Sequence, residues 1–147
     1  MGKIAKKFNK AIIENEFAIV KQLLNEHPDK IELNKADKYG NSYLSKAIVK
    51  CCSKTVALLL KKGANPNFIP SKNSNPLSNV IGYGYVSDRI EKIKLLLDYQ
   101  IKRDLFKYAL HHAAACYNSD TVKLLIDYGW KIDLLFDFAH HTIISLL

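Results

Sequence analysis

Residues 34–68 read NKADKYGNSYLSKAIVKCCSKTVALLLKKGANPNF, and the fold turns on how this stretch divides. A first helix is expected from about Ser42 to Cys51 and a second from about Lys54 to Lys62, the latter carrying the apolar run Val56-Ala57-Leu58-Leu59-Leu60. Gly63 lies one residue beyond the second helix, where a left-handed backbone closes a helix without a Cβ penalty. The stretch is therefore a helix pair bracketed by turns. The same residues return at a fixed interval: Leu44, Leu77 and Leu110 are 33 apart, and so are Ala47, Val80 and Ala113. Phe8 and Ala11 match Leu44 and Ala47 at a spacing of 36, the excess falling near His27-Pro28-Asp29-Lys30, where Pro28 ends the preceding helix.

The stretch resembles one complete ankyrin repeat. Asp37 and Gly40 fit that family's tight turn, Ser42-Tyr43-Leu44-Ser45 stands at its Thr-Pro-Leu-His, and Gly63-Ala64-Asn65-Pro66-Asn67 at its Gly-Ala-Asp-Val-Asn ending. Tyr108-Ala109-Leu110-His111-His112-Ala113-Ala114 resembles the same signature again, followed by Thr121-Val122-Lys123-Leu124-Leu125-Ile126 and Gly129. The resemblance implies an all-α ankyrin-repeat solenoid, a right-angle stack of antiparallel helix pairs with short finger turns along one edge. It forms a single domain over 1–147, with units at about 4–33, 34–67, 68–101 and 102–133 and a partial fifth at 134–147.

Outward from residues 34–68 the units are less regular. In unit one, helices are expected near Ile4–Glu14 and Phe17–His27. In unit three Pro76 opens a helix at a position that tolerates proline. From Leu77 to Gln100 is 23 residues against 19 from Leu44 to Gly63, so four extra residues lie around Gly82–Ser87. The next connection is four shorter, and a stunted finger is expected between units three and four. Ser119 is the expected cap of the last full helix, with Asp120 favourable in its first turn. The fifth unit begins at Asp137 and stops at Leu147, an apolar half-repeat that offers a surface for self-association.

Composition agrees with a globular chain: 48% apolar and 24% charged residues, with no apolar run long enough for a transmembrane helix. The basic N-terminus lacks the continuous apolar core of a signal peptide, and Gly2 is followed by Lys6 where an acylation motif requires Ser or Thr. Cys51, Cys52 and Cys116 make no disulfide framework, which favours an intracellular, cytoplasmic setting. The net charge of +8 resides in residues 1–75; residues 76–147 balance, and seven lysines but no acid lie between Lys38 and Ser87. Such a field attracts acidic partners. Only Arg89 and Arg103 are arginine, so the bidentate fork that reads phosphate or guanine is scarce.

No nucleotide loop, HExxH or GxSxG motif is present, and His112 with Cys116 at i and i+4 lacks further ligands for a metal. An enzyme, a cofactor and a metal site are therefore not expected. His111 falls on the signature histidine that ties finger to helix in the family, and Cys51 and Cys52 read as buried, inert thiols. The resemblance implies a protein–protein interaction module that binds on its concave finger and helix face. Candidate contacts carried over from the family are Lys38, Tyr39, Asn41, Val49 and Lys50 in unit two, Ser71, Lys72, Ser74 and Tyr83 in unit three, and Lys107 and Cys116 in unit four. A ladder of polar residues two places after the signature leucine adds Lys10, Lys46, Asn79 and His112; a buried lysine there would be costly, so the ladder is expected to be wet or partnered. The expected partner is an acidic protein surface or peptide, with nucleic acid or anionic lipid as the alternative, or a targeting role for a larger enzyme. The Lys- and Asn-rich, Arg-poor composition fits an AT-rich genome, and for a chain from such a source the ankyrin resemblance implies a host-directed effector.

Overall fold

The computed structural model describes residues 2–69, 75–82, 88–99 and 101–128, which form eight α-helices and one 3-10 turn with no strand. The helices are α1 (Lys3–Ile13), α2 (Phe17–Glu26), α3 (Tyr43–Lys50), α4 (Ser53–Lys61), α5 (Pro76–Gly82), α6 (Arg89–Leu97), α7 (Arg103–Ala115) and α8 (Ser119–Asp127). Each odd helix packs on the even helix that follows it. The odd helices also pack on one another in order, α1 on α3, α3 on α5 and α5 on α7, and α2 packs on α4 and α4 on α6. The result is two layers of helices in a repeat-like stack. The core runs between the layers, and the 33-residue series Leu44, Leu77, Leu110 and Ala47, Val80, Ala113 is buried throughout. No helix among the described residues is long and apolar enough to cross a membrane.

Two local devices set the helix boundaries. The first is the left-handed residue after a helix, at Asn15 (φ 55°), Gly63 (φ 96°) and Tyr117 (φ 53°). In each case the next amide reaches back to a carbonyl in the last turn: Glu16 to Ala11, Ala64 to Leu59 and Asn118 to Ala113, all at 2.9–3.0 Å. This is the Schellman closure, which satisfies carbonyls the helix leaves free. At Gly63 a Cβ would meet nothing within 4 Å, so only backbone strain opposes a side chain there. Gly63→Ala should therefore cost about 1 kcal/mol in urea denaturation, and no change would remove the left-handed closure as a stabilising element.

The second device is the side-chain cap. Ser42 Oγ accepts the Ser45 amide at 3.1 Å, and 33 residues on Asn75 Oδ1 accepts the Ser78 amide at 2.8 Å. Capping stops a helix from growing backwards. Another 33 residues on stands Tyr108, and 36 before Ser42 stands Lys6; neither can cap. There the helices do extend backwards, α1 to Lys3 and α7 to Arg103. Together with the four-residue offset of unit three, this shortens the connection before α7 to 98–102.

The four-residue offset in unit three also appears in the hydrogen bonds between units. Asn34 Oδ1 accepts the amide of Asn65, 31 residues away, at 2.7 Å. Its counterpart Asn67 accepts the amide of Lys102, 35 away, at 2.8 Å. The partner has moved by the inserted four.

Three local expectations are corrected. Asn118, not Ser119, caps α8, its side chain accepting the Thr121 amide at 3.1 Å; Ser119 is the first helical residue, because the left-handed Tyr117 places Asn118 at the cap. His111 is exposed on α7, whereas Ser45 and Ser78 at the same place in their units are buried, so it is not a core side chain. Cys52 is only half-buried, since it is the residue preceding α4. The expected fifth unit, including His140 and His141, lies outside the described residues, as does Gly129.

Candidate binding groove

A groove of about 510 Å3 opens where the loop before α3 rises beside α1. One wall is a face of α1, with Ala5 and Asn9, and Gly2 just before the helix; the other is the segment 30–41; Tyr43 and Lys46 of α3 form the floor. Asp37 holds the loop in shape. Its Oδ1 accepts the amides of Tyr39 at 2.8 Å and Asn41 at 3.0 Å, and its own amide donates to the Asn41 carbonyl at 3.0 Å. Gly40, with φ 80°, makes the reversal. The second carboxylate oxygen of Asp37 meets Lys46 Nζ at 2.8 Å. Burial would raise the Asp37 pKa, but Lys46 and the two amides outweigh it and hold the carboxyl below its ordinary value.

Lys46 is thereby tied across the floor. Besides Asp37 it donates to Asn9 Oδ1 at 2.6 Å, and its ammonium lies 5.6 Å from the Tyr43 ring centre. Tyr43 stands edge-on to Phe8 at 4.8 Å and donates its hydroxyl to the Ala5 carbonyl at 3.4 Å, so α1 and α3 are joined beneath the groove. Burial first, then the nearby charges of Glu32 and Asp37, push the Tyr43 phenol up.

The groove's charges divide into two sets. Glu32 pairs with Lys35 at 2.7 Å and Asp37 with Lys46 at 2.8 Å. Lys30 and Lys38 have no acidic partner among the described residues. Lys38 Nζ sits 4.8 Å from the ring centre of Tyr39, which is 73% exposed at the loop tip. Both acids are neutralised and two lysines are left over, so the groove favours a negatively charged occupant.

Of the residues expected to bind, the groove collects Lys38, Tyr39, Asn41 and Lys46. Val49 is half-buried against the core, and Lys50 is exposed at the end of α3. Asn79 on α5 and Lys107 on α7 are half-buried in later units, and Cys116 is an exposed free thiol at the end of α7. Ser71, Lys72, Ser74 and Tyr83 lie outside the described residues. The polar ladder does not act as one stripe: Lys10 is exposed beside Glu14, Lys46 is tied down, and His112 leans over Gly82, where a Cβ would come within 2.3 Å of its ring. The α1 wall and Lys30 were missed by the sequence reading. The signal for the wall was available in Ala5 and Asn9, which at i and i+4 share one helical face.

Among the described residues no three His, Cys, Asp or Glu side chains are grouped to hold a metal. Burial, then neighbouring Cys52, pushes the Cys51 thiol up to about 11, and it donates to the Ile12 carbonyl at 3.1 Å; such a thiol is not a nucleophile at neutral pH. Comparison with family models and with curated proteins gives no match for this chain, so the groove's own chemistry is what bears on its use.

Proposed function

We propose that the chain is a non-enzymatic ankyrin-repeat binding module that takes an acidic peptide segment of a partner protein into the groove between α1 and the loop before α3. The 33-residue recurrence and the in-order packing of the odd helices, with α2 on α4 and α4 on α6, support the repeat reading. The binding reading is carried by one observation: in the groove both acids are neutralised internally, while Lys30 and Lys38 remain uncompensated beside exposed Tyr39. Tyrosine offers rigid contact area with a polar tip, and the two ammonium groups select for carboxylates. The walls are set before binding by Asp37, Tyr43 and Lys46, so little ordering entropy is lost on docking.

The test is fluorescence anisotropy against a panel of labelled peptides matched in length and apolar content but differing in charge. The protein should prefer the acidic members. Lys30→Glu with Lys38→Glu should weaken that binding about tenfold, with circular dichroism unchanged because both side chains are exposed. Equal binding of acidic and basic peptides, or an undiminished affinity of the double variant, would remove the proposal.

A further inference from the structure

Lys3, Lys6, Lys7 and Lys10 occupy positions i, i+3, i+4 and i+7 of α1, so they fall on one stripe of the helix, about 10 Å long, and all four are exposed. The opposite face, Phe8, Ala11 and Ile12, is buried against the core. Lys3, Lys6 and Lys7 have no acid within ion-pair distance among the described residues, and Lys10 meets only Glu14, at 3.8 Å. Ile13, 51% exposed, continues the stripe three residues beyond Lys10. None of the four lysines lines the groove, which takes Ala5 and Asn9 from the adjoining face of α1 and Gly2 from just before it.

We propose that this stripe is a docking surface for an anionic membrane. Four like charges held within about 10 Å on a folded helix repel one another and are retained most readily where a negative surface meets them. Three classes of negative surface compete. Lysine is depleted from the cores of protein interfaces, which disfavours a protein partner for a patch made of lysines. Nucleic-acid recognition draws on arginine forks and on aromatic side chains for stacking, and the stripe has neither. A lipid headgroup layer asks only for closely spaced positive charge within a Debye length, and it accepts an exposed apolar side chain such as Ile13 at its boundary. Because the apolar face of α1 is already used in the core, the contact is electrostatic and reversible rather than an insertion of the helix.

Co-sedimentation with vesicles tests this. The protein should bind phosphatidylcholine vesicles containing about 30 mol% phosphatidylserine, leave them at high salt, and ignore pure phosphatidylcholine. Lys3→Gln, Lys6→Gln and Lys7→Gln together should lower the partition coefficient about 100-fold, at roughly fivefold per lysine. The matching triple change to Arg should retain binding, which separates loss of charge from loss of fold. The Lys30→Glu, Lys38→Glu variant should bind the same vesicles within about twofold of the parent, so failure of the groove proposal would not count against this one. Equal binding to neutral vesicles, no binding to charged ones, or an unaffected Gln triple would overturn the inference. Displacement of the protein from the vesicles by generic duplex RNA at equal phosphate would assign the stripe to nucleic acid instead.

Discussion

Lys92→Ala is expected to destabilise the protein by about 3 kcal/mol at neutral pH, and Lys92→Met by only about 1 kcal/mol. Lys92 lies on α6 with 0% of its surface exposed. Its Nζ donates to the carbonyl of Ile48 at 2.9 Å, close to the end of α3, where helix carbonyls lack an intrahelical donor. Alanine removes the packed stem and orphans that carbonyl. Methionine keeps the stem and also removes a buried charge, so the lost hydrogen bond is partly offset. The pH dependence identifies the charge. Burial lowers the Lys92 pKa, against the opposing pull of Asp88, Cys51 and Cys52. Between that lowered value and the ordinary 10.5 the unfolded chain holds the proton more tightly, so stability rises with pH through this window. Cys51, pushed up to about 11 from 9.0, acts in the opposite direction over part of the same range. The informative quantity is therefore the gap between parent and Lys92→Met in urea denaturation at neutral pH and at about pH 10. That gap should widen in favour of the parent. A pH-independent gap would mean that Lys92 carries no buried charge.

This lysine shows where the sequence is legible and where it is not. The buried series Val56, Leu59 and Leu60 of α4 recurs in α6 as Ile93, Leu96 and Leu97, an interval of 37 rather than 33. On that register Lys92 stands where Thr55 and Thr121 stand, and all three are buried. Periodicity identified the helix pairs, the left-handed Gly63 and the four inserted residues, because these depend on local spacing. The burial of Lys92 depends on which carbonyl the neighbouring unit presents, and no pattern within α6 encodes that. The cap series behaves in between. Ser42 and Asn75 are visible as cap residues once the 33-residue interval is known, and Lys6 and Tyr108 then mark the two helices that run on backwards.

The groove was half legible for the same reason. Its loop wall, Lys38, Tyr39 and Asn41, belongs to the turn of a single unit. Its other wall is α1 of the preceding unit, and the pairing of Lys46 with both Asn9 and Asp37 crosses between them. The lysine-rich window from Lys38 onward concealed this, because the acid that neutralises Lys46 stands one residue before the window begins. What looked like uniform positive charge is sorted by the fold into tied lysines and free ones.

Asp37→Ala should cost about 2 kcal/mol, and Asp37→Asn about half of that. The alanine change removes an acceptor for two amides and the partner of Lys46, whose side chain is only 18% exposed. Asparagine can still accept the two amides through its side-chain oxygen, so it isolates the ion pair. The partial exposure of both groups keeps the cost well below that of breaking a fully buried pair. Acid titration supplies the independent check. The folded-state pKa of Asp37 is lowered below 3.8, so its stabilising contribution is complete above that value and disappears as the pH falls through the lowered one. The gap between parent and Asp37→Asn in thermal denaturation should be constant near neutrality and close in acid. The groove responds in a way that stability alone does not predict. Freeing Lys46 adds a third uncompensated ammonium to the floor, so Asp37→Asn should bind the acidic peptides more tightly than the parent while being less stable. Asp37→Ala also loosens the loop and should give back that gain. If both variants bound acidic peptides as the parent does, Lys46 would play no part in recognition, and the groove's selectivity would rest on Lys30 and Lys38 at its rim.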